Sequence, residues 1–200
     1  PPNDFYVEGI KDIDSTDFKY ASKLGFSIKH LAVASLTENE VQLRAHPVLV
    51  SSDSYLAGLK GVRNGIEVET DLVGTLHVAG SGAGQESTAS GLISDLVYLS
   101  NVSSNSSINL NKRIKMNIQP IDEMEFKYFF KIKTLSKDMN LNKIEKIFQK
   151  NQVSISAENF DDFYIVIISE SFIENKKDSI MASLNNLSEV ASVKSIRIEP

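Results

Sequence analysis

The chain has no cysteine and no tryptophan, and only five prolines in 200 residues. Without cysteine there is no disulfide, no thiolate metal site and no cysteine nucleophile. That absence fits a reducing cytoplasm. No apolar run approaches the roughly 18 residues that a membrane span needs. The start, Pro1-Pro2-Asn3-Asp4, lacks the basic stretch and apolar core of a secretory signal, and the first methionine is Met116. A cytoplasmic segment of a longer polypeptide is the expectation. Basic charge is scarce where it would matter: residues 1–100 hold 7 basic against 13 acidic side chains, and residues 101–200 hold 14 against 13. Neither half has the basic stripe that a phosphate backbone requires, so nucleic acid is not an expected partner. No His/Asp/Glu group has metal-ligand spacing. The Asn-x-Ser matches at Asn101, Asn105 and Asn186 fall in Asn/Ser-rich stretches and read as chance.

What is present suits a soluble globular chain: 42% hydrophobic, 24% charged, mean hydropathy −0.13. A Ser/Asn-rich stretch at 100–119 divides it, giving a first domain over 1–100, a linker over 101–122 and a second domain over 123–200. In the first, "STDFKYASKLG" reads as a helix with Ser15 as N-cap, Phe18, Ala21 and Leu24 inward and Gly25 as the stop. "SIKHLAVASL" is apolar enough for a strand covered on both faces. "VQLRAHPVLV" alternates Val41, Leu43 and Ala45 against Gln42, Arg44 and His46, which assigns the second set to a polar face. "VRNGIEVET" and "LVGTLHVA" form a hairpin at Thr70-Asp71. A helix follows, with Ala89, Leu92, Ile93, Leu96 and Val97 at i, i+3, i+4, i+7, i+8. After the linker the order is βαββαβ, a ferredoxin-like split unit. The fold class is α+β: a mixed or antiparallel sheet with helices on one face, then the βαββαβ domain.

Between hairpin and helix lies "AGSGAGQESTASG". Its Gly80-x-Gly82-x-Gly84 spacing is not the dinucleotide fingerprint, because position 85 is Gln. Two readings stand. One is a flexible turn in which glycine allows close packing. The other is an anion site, since the amides of residues 83–87 open a helix without internal partners, and Thr88 adds a hydroxyl. His46 reads as a structural residue at a sheet or subunit contact. His30 and His77 read as satisfied core residues, Glu8 as a turn or interface residue, and Lys11, Lys19, Lys23 and Lys29 as solvated surface lysines.

Four ordered motifs carry a resemblance: Val7-Glu8-Gly9-Ile10, Arg44-Ala45-His46-Pro47, Gly61-Val62-Arg63-Asn64, and Gly80-Ser81-Gly82-Ala83-Gly84 with Thr88-Ala89-Ser90. From Asp4 to Glu199 the chain resembles the C-terminal part of bacterial homoserine dehydrogenase. The resemblance implies NAD(P)-dependent interconversion of aspartate 4-semialdehyde and homoserine, in threonine, methionine and isoleucine biosynthesis. It implies a sheet domain for substrate and dimerisation, and a returning helix that packs on an N-terminal Rossmann domain. The glycine loop would touch NADP or NAD, with Gly84 and Thr88 the foremost contacts and Gly80, Gly82 and Ala83 shaping the turn. The family's catalytic lysine motif and Rossmann fingerprint match nothing here, so no catalytic residue is assigned and the isolated chain is expected to be inactive.

By the same resemblance the second domain is ACT-like and regulatory, with threonine as a possible effector. Where that domain type carries an aspartate and a Pro-Gly pair, this chain has Ser136 and Asp138-Met139, followed by Asn140. Effector binding at Ser136, Asp138, Met139 and Asn140 stands beside a purely structural or dimerising tail. A non-enzymatic amino-acid-binding or assembly module is the alternative to the enzyme.

Overall fold

A computed structural model describes residues 5–101, 116–136, 139–161 and 163–199. The elements run β1 (Tyr6–Val7), α1 (Ser15–Lys23), β2 (Phe26–Leu36), β3 (Glu40–Ser51), β4 (Arg63–Thr70), β5 (Gly74–Ser81) and α2 (Gln85–Asn101). They continue with β6 (Asn117–Ile118), β7 (Glu125–Thr134), α3 (Leu141–Lys150), β8 (Ile155–Asp161), β9 (Tyr164–Ser169), β10 (Phe172–Ile173), α4 (Lys177–Asn185) and β11 (Val190–Ile198). The fold is α+β with a mixed sheet.

The contacts divide the chain differently from the Ser/Asn-rich stretch. One compact unit joins Pro1–Ser52 to Met116–Pro200, and the other is Asp53–Lys115. The first unit unites strands from both sides of the expected linker in one nine-stranded sheet, ordered β1-β3-β11-β7-β9-β8, with β2 and β6 on β3 and β10 on β7. Part of the expected linker, 102–115, lies outside the described residues. Its last part includes β6, which pairs with the start of β3.

The C-terminal strands follow the expected βαββαβ order, with β11, β7, β9 and β8 antiparallel neighbours. In β7, Phe126, Tyr128, Phe130 and Ile132 point to one face. They pack with Ile144 and Phe148 of α3 and Ile180 and Leu184 of α4. Each such fully buried side chain contributes about 1.5–3 kcal/mol, so this cluster supplies most of the driving force there. Phe129 points the opposite way, as strand alternation requires. With Val166 and Ile196 it meets Tyr20 and Ala21 of α1 and Leu49 of β3. Helices therefore cover both faces of the sheet. Helices on one face are expected of a separate first sheet; here its strands join those of the βαββαβ unit, with α1 on one face over Phe129, Val166 and Ile196 and α3 and α4 on the other.

α1 departs from its reading in detail. Its N-cap is Asp14, not Ser15: the Asp14 carboxylate accepts from the amides of Thr16 and Asp17, and Asp17 returns the contact to the Asp14 amide. Phe18 is exposed, whereas Asp17 and Tyr20 are buried. Asp17 is neutralised by Lys131 of β7, with Nζ 2.5 Å from its Oδ1 and 3.0 Å from Asp14. Lys194 of β11 joins the same two carboxylates.

β2 is not covered on both faces: among the described residues it pairs with β3 alone, and His30, Ala32, Ala34 and Leu36 are exposed. The alternation of β3 is read inside out. Arg44 and His46 lie in the interior, while Val41, Leu43 and Ala45 are only half-buried. Burial of Arg44 is possible because Glu199 takes its fork, Nε to Oε1 at 2.8 Å and Nη2 to Oε2 at 2.9 Å. Along its other edge β3 pairs in parallel with three short pieces: β6 at Glu40-Val41, β1 at Arg44-Ala45 and β11 at Val48-Leu49.

The second unit is an antiparallel ribbon, β4 and β5, followed by α2. Ile66, Val68, Leu76 and Val78 share one ribbon face and are exposed. So is the helical stripe of Leu92, Ile93, Leu96 and Val97. The stripe is real, but among the described residues it is left exposed.

The α1 cluster generates a pH prediction. Burial opposes ionisation of Asp14, yet hydrogen bonds from Lys194, Thr16, Lys131 and the Asp17 amide hold its carboxyl well below the usual range. A folded value below the unfolded one, about 3.9, gives stability that is present above that value and lost as pH falls beneath it. Asp14→Asn keeps the cap and removes the charge. The wild-type chain is expected to exceed the variant by up to about 1 kcal/mol near neutrality, since Asp14 is half-exposed and screened. Urea midpoints should converge as pH drops below about 4.

Candidate functional site

The glycine loop is built by the ribbon that precedes it. Apolar and polar positions alternate in both strands, with Ile66 opposite Val78 and Glu67 opposite His77. The reversal at 71–73 closes on Thr70, whose hydroxyl donates to the Gly74 carbonyl at 2.8 Å and accepts from the Val73 amide. Gly74 has a left-handed φ of 73° there, which favours glycine.

The ribbon ends with Arg63 opposite Ser81, and the Gly82 amide bonds the Val62 carbonyl at 3.1 Å. At Gly82 a Cβ would fall 1.7 Å from Asn64 Nδ2, so glycine admits the asparagine side chain. Gly84 has the opposite environment. Its φ is 113°, and a Cβ there would meet nothing within 4 Å. Its backbone faces open space in a conformation that side chains rarely adopt. The first turn of α2 follows, where helix geometry leaves amides without carbonyl partners.

These features border a cleft of about 350 Å³ lined by Val62, Ser81, Ala83, Gly84 and residues 85–87. Of the expected contacts, Ala83 and Gly84 line it. Gly80 and Gly82 do not, and neither does Thr88, whose hydroxyl donates to the Gly84 carbonyl at 2.9 Å. Thr88 thus braces Gly84 from within the helix. Val62 and Ser81 stand in the sequence motifs without being assigned there as contacts; the hairpin register brings them together by placing Ser81 opposite Arg63. Glu86 sits in the first turn, where a carboxylate complements the helix dipole.

The other expected site residues are held locally. The Ser136 carbonyl accepts from Thr134, Asn140 caps α3 by accepting from the Asn142 amide, and Met139 packs against the C-terminal core. Asp138 lies outside the described residues. His46 is fully buried, not on a polar face. Its Nδ1 donates to the Pro47 carbonyl at 3.0 Å, and its ring stands edge-on to Tyr6 and Phe126. Burial lowers its pKa, with Arg197 and Arg44 adding to the effect against the Pro47 carbonyl and Glu199.

His30 and His77 are exposed, contrary to their core reading. His30 reaches the Glu8 carbonyl at 3.0 Å. His77 reaches Glu67 at 2.9 Å and stacks on Tyr55, with centroids 4.1 Å apart. Lys11, Lys19 and Lys23 are exposed and Lys29 is half-buried. Among the described residues no group of three or more His, Asp or Glu could hold a metal ion. No helix among them is long and apolar enough to cross a membrane.

Residues 1–97 match the homoserine dehydrogenase family model. A homoserine dehydrogenase of Pseudomonas aeruginosa is 32% identical over 97% of this chain and 48% of its own length. One from Neisseria gonorrhoeae is 30% identical over 91% of the chain and 45% of its own length. The crystal structure of a homoserine dehydrogenase from Thiobacillus denitrificans superposes with a TM-score of 0.82 at 27% identity, covering 96% of this chain and 47% of that one. The chain spans about half the length of the relatives it matches. It belongs to the homoserine dehydrogenase family.

Proposed function

We propose that this chain is the C-terminal part of an NAD(P)-dependent homoserine dehydrogenase, a soluble cytoplasmic enzyme that interconverts aspartate 4-semialdehyde and homoserine. In this reading residues 53–101 supply one wall of the cofactor site. The observation that carries it is Gly84: a left-handed glycine with open space over its backbone, at the start of a 17-residue helix, on the rim of a cleft. A cofactor with a charged backbone fits that setting, because free amides and the helix dipole favour an anion, and no side chain obstructs the approach. Ala83, Gly84 and the first-turn amides would hold it, with Thr88 bracing Gly84 and Gly80 and Gly82 shaping the turn. The bound nicotinamide supplies hydride chemistry. This chain contributes position and charge complementarity, while a dinucleotide-binding domain and the catalytic lysine come from polypeptide preceding it.

The exposed stripe of α2 supports packing against that further domain. The C-terminal βαββαβ unit supports an ACT-like assignment. Its segment 134–141 uses Thr134, Ser136 and Asn140 for local hydrogen bonds, which favours a structural or dimerising tail over threonine binding. Homodimers or higher oligomers would use strands within 27–79, whose exposed apolar ribbon face suits a subunit contact.

Three outcomes are expected. In the complete enzyme Gly84→Val should weaken the cofactor more than the fold, because valine opposes the left-handed φ and fills the approach. Loss of one or two charge-assisted hydrogen bonds costs about 1.5–3 kcal/mol each, roughly ten- to a hundred-fold in affinity or more. Thr88→Ala should cost less. Fluorescence titration reads affinity and thermal melting reads the fold; unchanged affinity in folded Gly84→Val would reduce the loop to a packing turn. The isolated chain should reduce no aspartate semialdehyde with NADPH, and turnover above a buffer blank would refute the division of the site. Light scattering should return a dimer or larger species at high micromolar concentration; a monomer alone would remove the subunit-contact assignment.

A further inference from the structure

Arg197 lies on β11, is 3% exposed, and divides its guanidinium between two parts of the chain that are far apart in sequence. Toward the C-terminal part, Nε and Nη2 donate to the two oxygens of Glu174 at 3.0 and 2.6 Å. Glu174 opens the single turn Glu174–Lys176 that leads into α4. It is itself buried and held by the Tyr128 hydroxyl and the Lys177 ammonium. Toward the N-terminal part, Nη1 donates to Glu8 Oε2 at 2.8 Å and Nη2 to the Tyr6 hydroxyl at 3.1 Å, with the guanidinium 4.6 Å from the Tyr6 ring centre. The Tyr6 hydroxyl donates to the same Glu8 oxygen at 2.7 Å.

The two sides are unequal. The Glu174 side is bidentate and dry, the geometry in which an arginine–carboxylate pair is strongest. The Glu8 side is a single contact to a carboxylate that is 42% exposed and therefore screened by water. Besides Arg197 and the Tyr6 hydroxyl, Glu8 is held through its backbone. β1 is two residues long, paired only at Tyr6 and Val7. Beyond it the Glu8 amide bonds the Ala45 carbonyl at 2.8 Å, and the Glu8 carbonyl accepts from His30.

We propose that Arg197 is a latch by which the start of α4 holds the Glu8–Gly9–Ile10 turn against the sheet. Glu174 is the anchor and Glu8 the releasable end. Displacement of the Glu174 carboxylate in the turn Glu174–Lys176 draws the guanidinium away from Glu8, and the N-terminal segment is freed while Ile180 and Leu184 of α4 stay packed in the C-terminal core. The latch thus joins the helical face of the C-terminal part to a segment at the opposite end of the chain, with no contact between Glu174 and Glu8 required.

The test is amide hydrogen exchange by NMR on the full 200-residue chain. Three variants address the three parts. Glu8→Gln weakens the releasable end at a half-exposed position that the fold tolerates. Arg197→Lys retains a charge but not the fork, so it can serve one carboxylate and not both. Glu174→Asp withdraws the anchor by one methylene. In each, the Glu8 amide should exchange about tenfold faster or more, while Phe130 and Ile132 in β7 keep wild-type rates. Unchanged exchange at Glu8 in the Glu8→Gln variant overturns the latch outright, whatever the fold of the other two. A uniform rise that includes β7 in Arg197→Lys and Glu174→Asp would also overturn it, because it marks Arg197 as general support for the core.

Discussion

Two arginines at one seam carry carboxylates from across it. Arg44, on β3 in the N-terminal part, holds Glu199 just beyond β11, and Arg197 on β11 holds Glu8 just beyond β1. Between them β11 and β3 share only the pairs Arg197–Val48 and Ile198–Leu49. Two pairs of strand residues would be a weak joint alone. The crossed ion pairs lock its register, since slipping β11 by one residue would turn both charges to the other face. Buried charges are costly unless every donor is matched. Here Arg197 is matched by Glu174, Glu8 and Tyr6, and Arg44 by Glu199 and Gln42. Apolar packing does the remaining work, through Leu49, Tyr20 and Ala21 against Phe129, Val166 and Ile196.

That joint explains which parts of the fold were legible in the sequence. The C-terminal βαββαβ order was readable because each element declares itself locally. α3 has Ile144 and Phe148 one turn apart behind an Asn140 cap, and β7 and β9 are runs of aromatic and β-branched residues. The seam was not readable, because its partners are 155 residues apart in the case of Arg44 and Glu199 and obey no period. It also inverts the usual rule. Arg44 and His46 look like a solvated face when polarity is the only guide, yet they are inside because a carboxylate and a carbonyl meet them there. Asp17 misleads in the same way: a polar residue in a short helix becomes the best-buried group on it once Lys131 arrives from β7. One local clue did point to the shared sheet. Phe129 beside Phe130, and Val166 between Ile165 and Ile167, are apolar in both registers, which suits a sheet covered on both faces.

The glycine loop shows a finer limit. Spacing identified the cluster but could not separate its members. Gly82 and Gly84 are two residues apart and glycine for different reasons, one to admit the Asn64 side chain, the other to adopt a left-handed φ beside open space. Only the second reason leaves room for something else. Thr88 looked like a second contact because its hydroxyl falls one turn into the helix. The same spacing lets it donate to the Gly84 carbonyl four residues back, as threonine in a first turn commonly does.

The two units also differ in how far they can stand alone. The larger has two apolar clusters on opposite faces of one sheet. The smaller has a ribbon and a helix whose large apolar side chains are exposed, Leu72 at 90% and Leu96 at 67% among them. A two-stranded ribbon is marginal in water without a covered face, and a helix of this length gains most of its stability from packing its apolar stripe. Order in the glycine loop is therefore tied to whatever covers these surfaces. A partner that binds only the ordered form raises its population by mass action, and a ligand seated on Gly84 does the same through the same equilibrium. On the proposed reading of Gly84 as a cofactor contact, affinity and assembly are linked quantities at this loop. Gly82 and Gly84 set the shape of the loop, and the exposed stripe from Leu92 to Val97 is the surface whose burial would steady the helix that follows it.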